Sequence, residues 1–275
     1  MKADSLSARI ACAPALQSFY AKLRQIPLLG GLFHGIARSV LPSGTHVTTR
    51  VRQGRAAGLV LSLDPRYEAP YAAGLHETEL LDCLAQHLKQ GGVLYDVGGH
   101  IGLISMVGAR LVGPSGSVFA FEADPENAAR IFEHLRMNSL PQVELVNAAV
   151  WSECKTLSFE RASATSSRNR GSVANGTDSP GVGELITVPA ITLDSFAADH
   201  RPPAVIKVDV EGAEAEVLQG AAQLLRVAKP ILICEIHHAQ AEESVTGLLR
   251  AAAYRWSWLD GESRFPRHMV AQPTP

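Results

Sequence analysis

The chain has 275 residues, 46% of them hydrophobic and 19% charged, with a net charge of −2. That is an ordinary globular composition, with enough apolar material for one α/β domain, a full core and an appendage. The four cysteines (Cys12, Cys83, Cys154, Cys234) show no C-x-x-C spacing, so neither a zinc site nor a disulfide scaffold is indicated, and a reducing, cytoplasmic setting fits. No uncharged apolar run reaches the ~18–20 residues that span a bilayer; residues 26–41 come nearest and are broken by His34 and Arg38. The N-terminus lacks a continuous apolar stretch of the signal-peptide kind.

Charge is unevenly spread. Residues 1–70 hold nine Lys/Arg against three Asp/Glu, and residues 71–275 hold sixteen against twenty-four. Docking of the basic part on the acidic part is the plain reading; a basic rim facing an anionic substrate or a membrane surface is the sharper one. Nucleic acid is not expected, because the basic residues are scattered without interleaved aromatics.

In residues 1–40, Leu16, Phe19, Leu23 and Ile26 recur at helical spacing, and Pro14, Pro27 and Gly30-Gly31 cut the segment into short pieces. The stripe suits packing on its own domain, a contact between copies in a homo-oligomer, or a membrane foot. Residues 47–51 and 59–63 then read as a hairpin around Gln53-Gly54. A helix is expected over 78–88, with Leu80, Leu81, Leu84 and Leu88 inward and Gly91-Gly92 as its stop.

The stretch 93–122 carries the main signal. It reads as a buried strand (93–97), a glycine turn (Gly98, Gly99, Gly102), a helix (101–111) and a second strand (118–121) ending in Glu122. Such a βαβ unit binds a nucleoside-bearing cofactor: glycines admit the ligand to the backbone, and an acid closing the second strand accepts hydrogen bonds from a ribose. The glycine spacing departs from G-x-G-x-x-G, and Asp96 stands where a pyrophosphate would be repelled. A carboxylate suits the cationic methionine end of S-adenosylmethionine instead.

Asp124-Pro125 caps a helix running to Asn138, and 143–147 is the third strand. Strands at 156–159 and 185–188 flank the Ser/Gly/Asn-rich stretch 160–184, read as a mobile lid whose Arg161, Arg168 and Arg170 could meet an anionic or sugar substrate, or else as a solvated insertion. A short helix opens at Thr192, a strand spans 204–208, a helix spans 212–226, and a strand covers 230–236. Residues 254–259 and 269–271 close the fold. Alternating strands and helices predict an α/β protein with a doubly wound, mostly parallel sheet behind an N-terminal helical and hairpin extension. The domains expected are 1–70 for the extension and 71–275 for the rest.

Three strings, DVGGHIGLIS, FAFEADP and IKVDVEGAEAEVLQGA, resemble the FkbM family of S-adenosylmethionine-dependent methyltransferases over about residues 71–238. The family usually has Ala-Asn where this chain has Gly99-His100, and Pro where it has Ala123. The resemblance implies a Rossmann-like class I methyltransferase fold and S-adenosylmethionine held by Asp96, Gly98, Gly99, His100, Gly102, Glu122, Ala123 and Asp209. It further implies adenine on Ala148 and Ala149, and an acid such as Glu79 near the methionine end. It implies O-methylation of a sugar, glycan or secondary metabolite.

Methyl transfer to an alcohol needs the hydroxyl proton removed. His237 is read as the base, with Asp209 orienting it or the acceptor hydroxyl and Glu235 as a further catalytic acid at the neighbouring strand end. Alternatively Asp209, Glu235 and His237 hold Mg²⁺ or Mn²⁺. Glu211, Glu214 and Glu216 are read as first-turn helix acids, Glu211 being ambiguous because the family motif retains it. A silent methyltransferase-like binding domain and a nicotinamide-dependent oxidoreductase are the competing readings.

Overall fold

The computed structural model describes residues 46–161, 172–173, 184–259, 261 and 264–274. The expected helical segment 1–40, and with it the oligomer contact, lies outside them. The chain separates into two compact units, the boundary falling between Thr78 and Glu79.

In the first unit, β1 (Val47–Arg50) and β2 (Val60–Leu63) pair antiparallel with Val47 opposite Leu63. Val51, Leu59, Leu61 and Leu63 supply its buried face. A short helix absent from the expectations, α1 (Ala69–Ala73), follows. Its cap Gly74 has φ +69°, and a Cβ there would lie 2.1 Å from the Gln53 carbonyl oxygen, so only glycine fits.

The second unit begins within α2 (Thr78–His87), whose Leu80, Leu81 and Leu84 are buried as their spacing predicts. Next come β3 (Val93–Val97), α3 (Leu103–Val112), β4 (Ser117–Phe121), α4 (Pro125–Asn138) and β5 (Val143–Val146). Asp124 caps α4 as expected, its side chain accepting from Glu126 N. A short strand β6 (Ala149–Val150) leads to β7 (Lys155–Arg161), β8 (Ser172–Val173) and β9 (Glu184–Ile191). The chain ends with α5 (Leu193–Asp199), β10 (Val205–Val208), α6 (Glu214–Gln219), α7 (Ala222–Val227), β11 (Ile231–Ile236), α8 (Ala239–Ala251), β12 (Tyr254–Trp258) and β13 (Arg267–Pro273).

The main sheet runs in the order β12-β13-β11-β10-β3-β4-β5. β11, β10, β3, β4 and β5 are mutually parallel, and β13 enters antiparallel to β11. Both faces are covered. Val93, Tyr95, Val97, Phe119, Phe121, Ile206 and Val208 pack on one face with apolar residues of α5 to α8. On the other, α3 lies so close that a Cβ on Gly108 would come 2.4 Å from a Leu94 methyl. This is the doubly wound architecture, in which ligands collect beyond the carboxyl ends of the parallel strands.

Three departures have physical causes. The helix expected over 212–226 is two helices. A Cβ on Gly220 would sit 2.0 Å from the Trp151 carbonyl oxygen, and Asp194 donates its N–H to the Gly220 carbonyl. The Asp194 carboxylate then caps α7 from outside by accepting from the N–H groups of Gln223 and Leu224. Helix α8 has no counterpart among the expected elements. His238 caps it, Nδ1 accepting from Ala241 N at 3.1 Å, and Val245 and Leu249 bury its inner face.

The third departure concerns the stretch 160–184, which is not one loop. β7 extends through Arg161, β9 starts at Glu184 directly opposite it, and Ser172–Val173 pairs with β7. Residues 162–171 and 174–183, with Arg168 and Arg170, lie outside the described residues. Trp151, Leu157, Phe159, Val188 and Ala190 give this smaller sheet its own core, against which Ala123 and Ala213 pack. Among the described residues no helix is long and apolar enough to cross a membrane.

Candidate active site

Strand β3 ends in a turn built by close approach. Gly98 has φ +80°, and a Cβ there would lie 1.8 Å from the Asp209 carbonyl oxygen, so the turn abuts the end of β10. The N–H groups of Gly98 and Gly99 both donate to the Phe121 carbonyl, at 3.0 and 2.9 Å. Gly99 and Gly102 face Ile131 of α4, at 3.0 and 3.3 Å from where their Cβ atoms would stand. The glycines therefore serve packing between turn and helix as much as access for a ligand. His100 takes a left-handed φ of +51°, uncommon for a residue with a side chain.

That conformation directs the His100 N–H at Glu122, whose Oε2 accepts at 2.7 Å while Oε1 accepts from Asp124 N at 2.9 Å. Glu122 is 7% exposed. Burial pushes its carboxyl up, two backbone N–H groups pull it down, the Asp124 charge adds to the rise and Lys207 opposes it, for a result of about 7. Asn147 donates to the carbonyls of Glu122 and Ala123, at 2.8 and 3.3 Å, and so holds the loop from the end of β5. Arg161 braces it from β7 through ion pairs to Asp124, Glu126 and Glu184. It is thus tied to the α4 cap, not carried on a lid as the sequence suggested. Ala148 and Ala149 are buried beyond the β5 end, and Glu79 is exposed in the first turn of α2.

Asp96 is fully buried and has partners within the protein. Its Oδ2 accepts from the Ser105 hydroxyl at 2.5 Å, and its Oδ1 lies 3.2 Å from Lys207 Nζ. Asp96, expected to face the cationic methionine end of the cofactor, thus meets an ammonium of the protein itself, because register places Lys207 beside it on β10. Lys207, 3% exposed, also donates to the Gly98 carbonyl at 2.7 Å and comes within 4.0 Å of Asp209 Oδ2. One buried ammonium thus links the glycine turn to the next strand end.

Beyond β10 and β11, four carboxylates converge on one imidazole. His237 Nδ1 is 2.8 Å from Glu214 Oε1. Nε2 lies 3.4 Å from Glu211 Oε2, 3.5 Å from Glu235 Oε2 and 3.6 Å from Asp209 Oδ1. Glu214 is fully buried and also accepts from Gly212 N at 2.8 Å. Burial pulls the His237 ring's pKa down, but the Glu214 hydrogen bond and the charges of Asp209 and Glu211 push harder, and it rises to about 9. His268 Nε2 approaches Glu235 Oε1 at 3.9 Å from the start of β13.

The structure thus brings Asp209, Glu235 and His237 together as the sequence predicted, and adds Glu211 and Glu214. Reading Glu211 as a first-turn helix acid misplaces the helix start, whereas Glu214 and Glu216 do stand in the first turn of α6. Glu211 precedes α6 at φ +55°, and Glu214 turns inward to His237. The spacing of the two glutamates, three apart around Gly212, was the available signal. Lys207 was missed because one lysine in an apolar strand shows its partner only in the folded register.

A doubly wound sheet with a glycine turn, a buried acid closing the neighbouring strand and a polar cluster at the next strand ends defines a nucleoside-cofactor enzyme. The family model described as Methyltransferase FkbM domain matches residues 96–257, more than half of the chain. The chain belongs to the FkbM methyltransferase family, whose chemistry is methyl transfer from S-adenosylmethionine, and this sets aside the nicotinamide reading. It is similar to the hexuronic acid methyltransferase AglP of Haloferax volcanii, 29% identical over 178 residues that cover 64% of this chain and 69% of that protein. Among solved structures it is similar to an FkbM methyltransferase of Methylobacillus flagellatus KT, at 15% identity and TM-score 0.47, covering 74% of this chain and 65% of that one. It is also similar to precorrin-6y C5,15-methyltransferase of Geobacter metallireducens GS-15, at 13% identity and TM-score 0.47, covering 72% and 90%.

Proposed function

We propose that this chain transfers the methyl group of S-adenosylmethionine to a hydroxyl oxygen of a sugar or glycan. The observation that carries the reading is the convergence of Asp209, Glu211, Glu235 and His237 at the ends of β10 and β11. An alcohol acceptor needs proton-accepting groups such as the Asp209, Glu211 and Glu235 carboxylates, whereas methylation of an already nucleophilic nitrogen or thiolate does not. The sugar class is supported by the similarity to a hexuronic acid methyltransferase. The family match from residue 96 supports placing this chemistry after residue 70, with 1–70 as an extension.

In this reading Glu122 accepts the ribose hydroxyls, the turn from Gly98 to Gly102 meets the methionine end, and Ala123, Ala148 and Ala149 border the adenine. Asp96 acts through Lys207, holding the turn in shape. The acceptor oxygen attacks the sulfonium methyl in line: the C–O bond forms, the S–C bond breaks, and S-adenosylhomocysteine leaves with the electron pair on sulfur. The hydroxyl proton passes to a carboxylate of the cluster and on to solvent. A divalent cation held there would ease the step by making the hydroxyl more acidic.

The test is incubation with isotopically labelled S-adenosylmethionine and a panel of uronic acid and neutral sugar acceptors, read by mass. A methylated sugar with an O-linked label supports the reading. S-adenosylhomocysteine binding without transfer to any sugar supports the silent-domain alternative.

A further inference from the structure

The polar cluster has more order than proton acceptance needs. His237 Nδ1 is committed to Glu214 Oε1 at 2.8 Å, and Glu214 is fully buried and held in turn by Gly212 N. A carboxylate on one ring nitrogen fixes the tautomer and aims the other nitrogen, which is how metal-binding imidazoles are oriented. The aimed atom, Nε2, is buried, and among the described residues no hydrogen bond reaches it. It points among oxygens of Asp209, Glu211 and Glu235 at 3.4–3.6 Å.

Those separations match a coordination shell. Adjacent ligands of an octahedral cation at about 2.1 Å stand about 3.0 Å apart, and opposite ones about 4.2 Å. The ligand atoms of Asp209, Glu211 and His237 all lie within 4.8 Å of one another.

We propose that Asp209, Glu211 and His237 bind one divalent cation of the Mg²⁺ or Mn²⁺ class, with Glu214 as the positioning residue for the imidazole. The ligand set differs from the sequence expectation: Glu211 joins it, and Glu235 lines its edge. One nitrogen among carboxylate oxygens suits a hard to borderline cation and leaves positions for water or an acceptor hydroxyl. The cation's purpose rests on the O-methyltransferase reading, since it would lower the pKa of that hydroxyl beside the sulfonium methyl.

The experiment titrates the full chain with Mn²⁺, following free Mn²⁺ by electron paramagnetic resonance, with S-adenosylhomocysteine calorimetry on the same samples. One bound Mn²⁺ per chain is expected. Glu211→Gln, a quarter-exposed position that leaves the core intact, and His237→Gln should each weaken Mn²⁺ by tenfold or more. Glu214→Gln should weaken it by about 10- to 100-fold, while S-adenosylhomocysteine binds all three as it binds the unaltered chain. A chain that binds S-adenosylhomocysteine but no Mn²⁺ overturns the inference and leaves the methyltransferase reading standing. So does Mn²⁺ binding indifferent to Glu211→Gln and His237→Gln. Site-specific Mn²⁺ binding without S-adenosylhomocysteine binding supports the cation site and counts against the cofactor reading.

Discussion

Replacing Glu122 with alanine tests the cofactor geometry at its most defined point. Each Glu122 oxygen accepts one backbone N–H, from His100 and Asp124, which leaves a further lone pair on each for two ribose hydroxyls. Hydrogen bonds to a charged acceptor contribute about 1.5–3 kcal/mol each. Water entering the vacated space rehydrates the hydroxyls, so the net loss expected is about 1–3 kcal/mol, or roughly 5- to 150-fold in affinity. Calorimetric titration with S-adenosylhomocysteine at pH 8 measures it. Unchanged affinity would refute the ribose assignment. The raised pKa adds a second signature. The anion is the acceptor, so S-adenosylhomocysteine affinity should fall as pH drops through about 7. Stability should move the other way. The folded state holds the Glu122 proton more tightly than the usual 4.5, so this residue's contribution is fully present below about 4.5 and lost as pH rises through about 7. Glu122→Gln should flatten both trends, and a pH profile identical to the parent's would show that Glu122 does not set them.

Lys207→Met leaves the buried Asp96 without its ion pair and should cost about 3–5 kcal/mol in urea denaturation, with part of it recovered by adding Asp96→Asn. A loss under about 1 kcal/mol would mean Lys207 is not the partner that holds Asp96. Gly98→Ala forces a Cβ to 1.8 Å from the Asp209 carbonyl; loss of S-adenosylhomocysteine binding is expected, and parent-like binding and stability would contradict that approach of β10. Asp194→Ala removes the outside cap of α7 and should destabilise by about 0.5–2 kcal/mol, read from the denaturation midpoint; an unchanged midpoint would show that the helix break does not depend on it.

The strands were legible because buried parallel strands are largely apolar runs, as β3, β4, β10 and β11 are even with Asp96 inside β3 and Lys207 inside β10. Asp124-Pro125 announced α4 by local chemistry alone. The break between α6 and α7 was not legible, because it depends on Trp151 and Asp194, which meet Gly220 only in the folded chain. Helix α8 escaped because its cap is a histidine, a residue type that seldom signals a helix start. In the site, Glu122, Asp209, Glu235 and His237 could be picked out as polar residues at strand ends. Glu211 needed the true start of α6, Glu214 the inward turn of a first-turn acid onto His237, and Lys207 the register that sets it beside Asp96.

The central claim is that methyl leaves S-adenosylmethionine for a sugar oxygen at the ends of β10 and β11. The most direct measurement is nuclear magnetic resonance of the product formed with ¹³C-methyl-labelled S-adenosylmethionine and a uronic acid-containing glycan. The account predicts a labelled O–CH₃ group on the sugar, lost in the Asp209→Asn enzyme. Label on nitrogen or carbon, or a labelled sugar formed undiminished by Asp209→Asn, would contradict it.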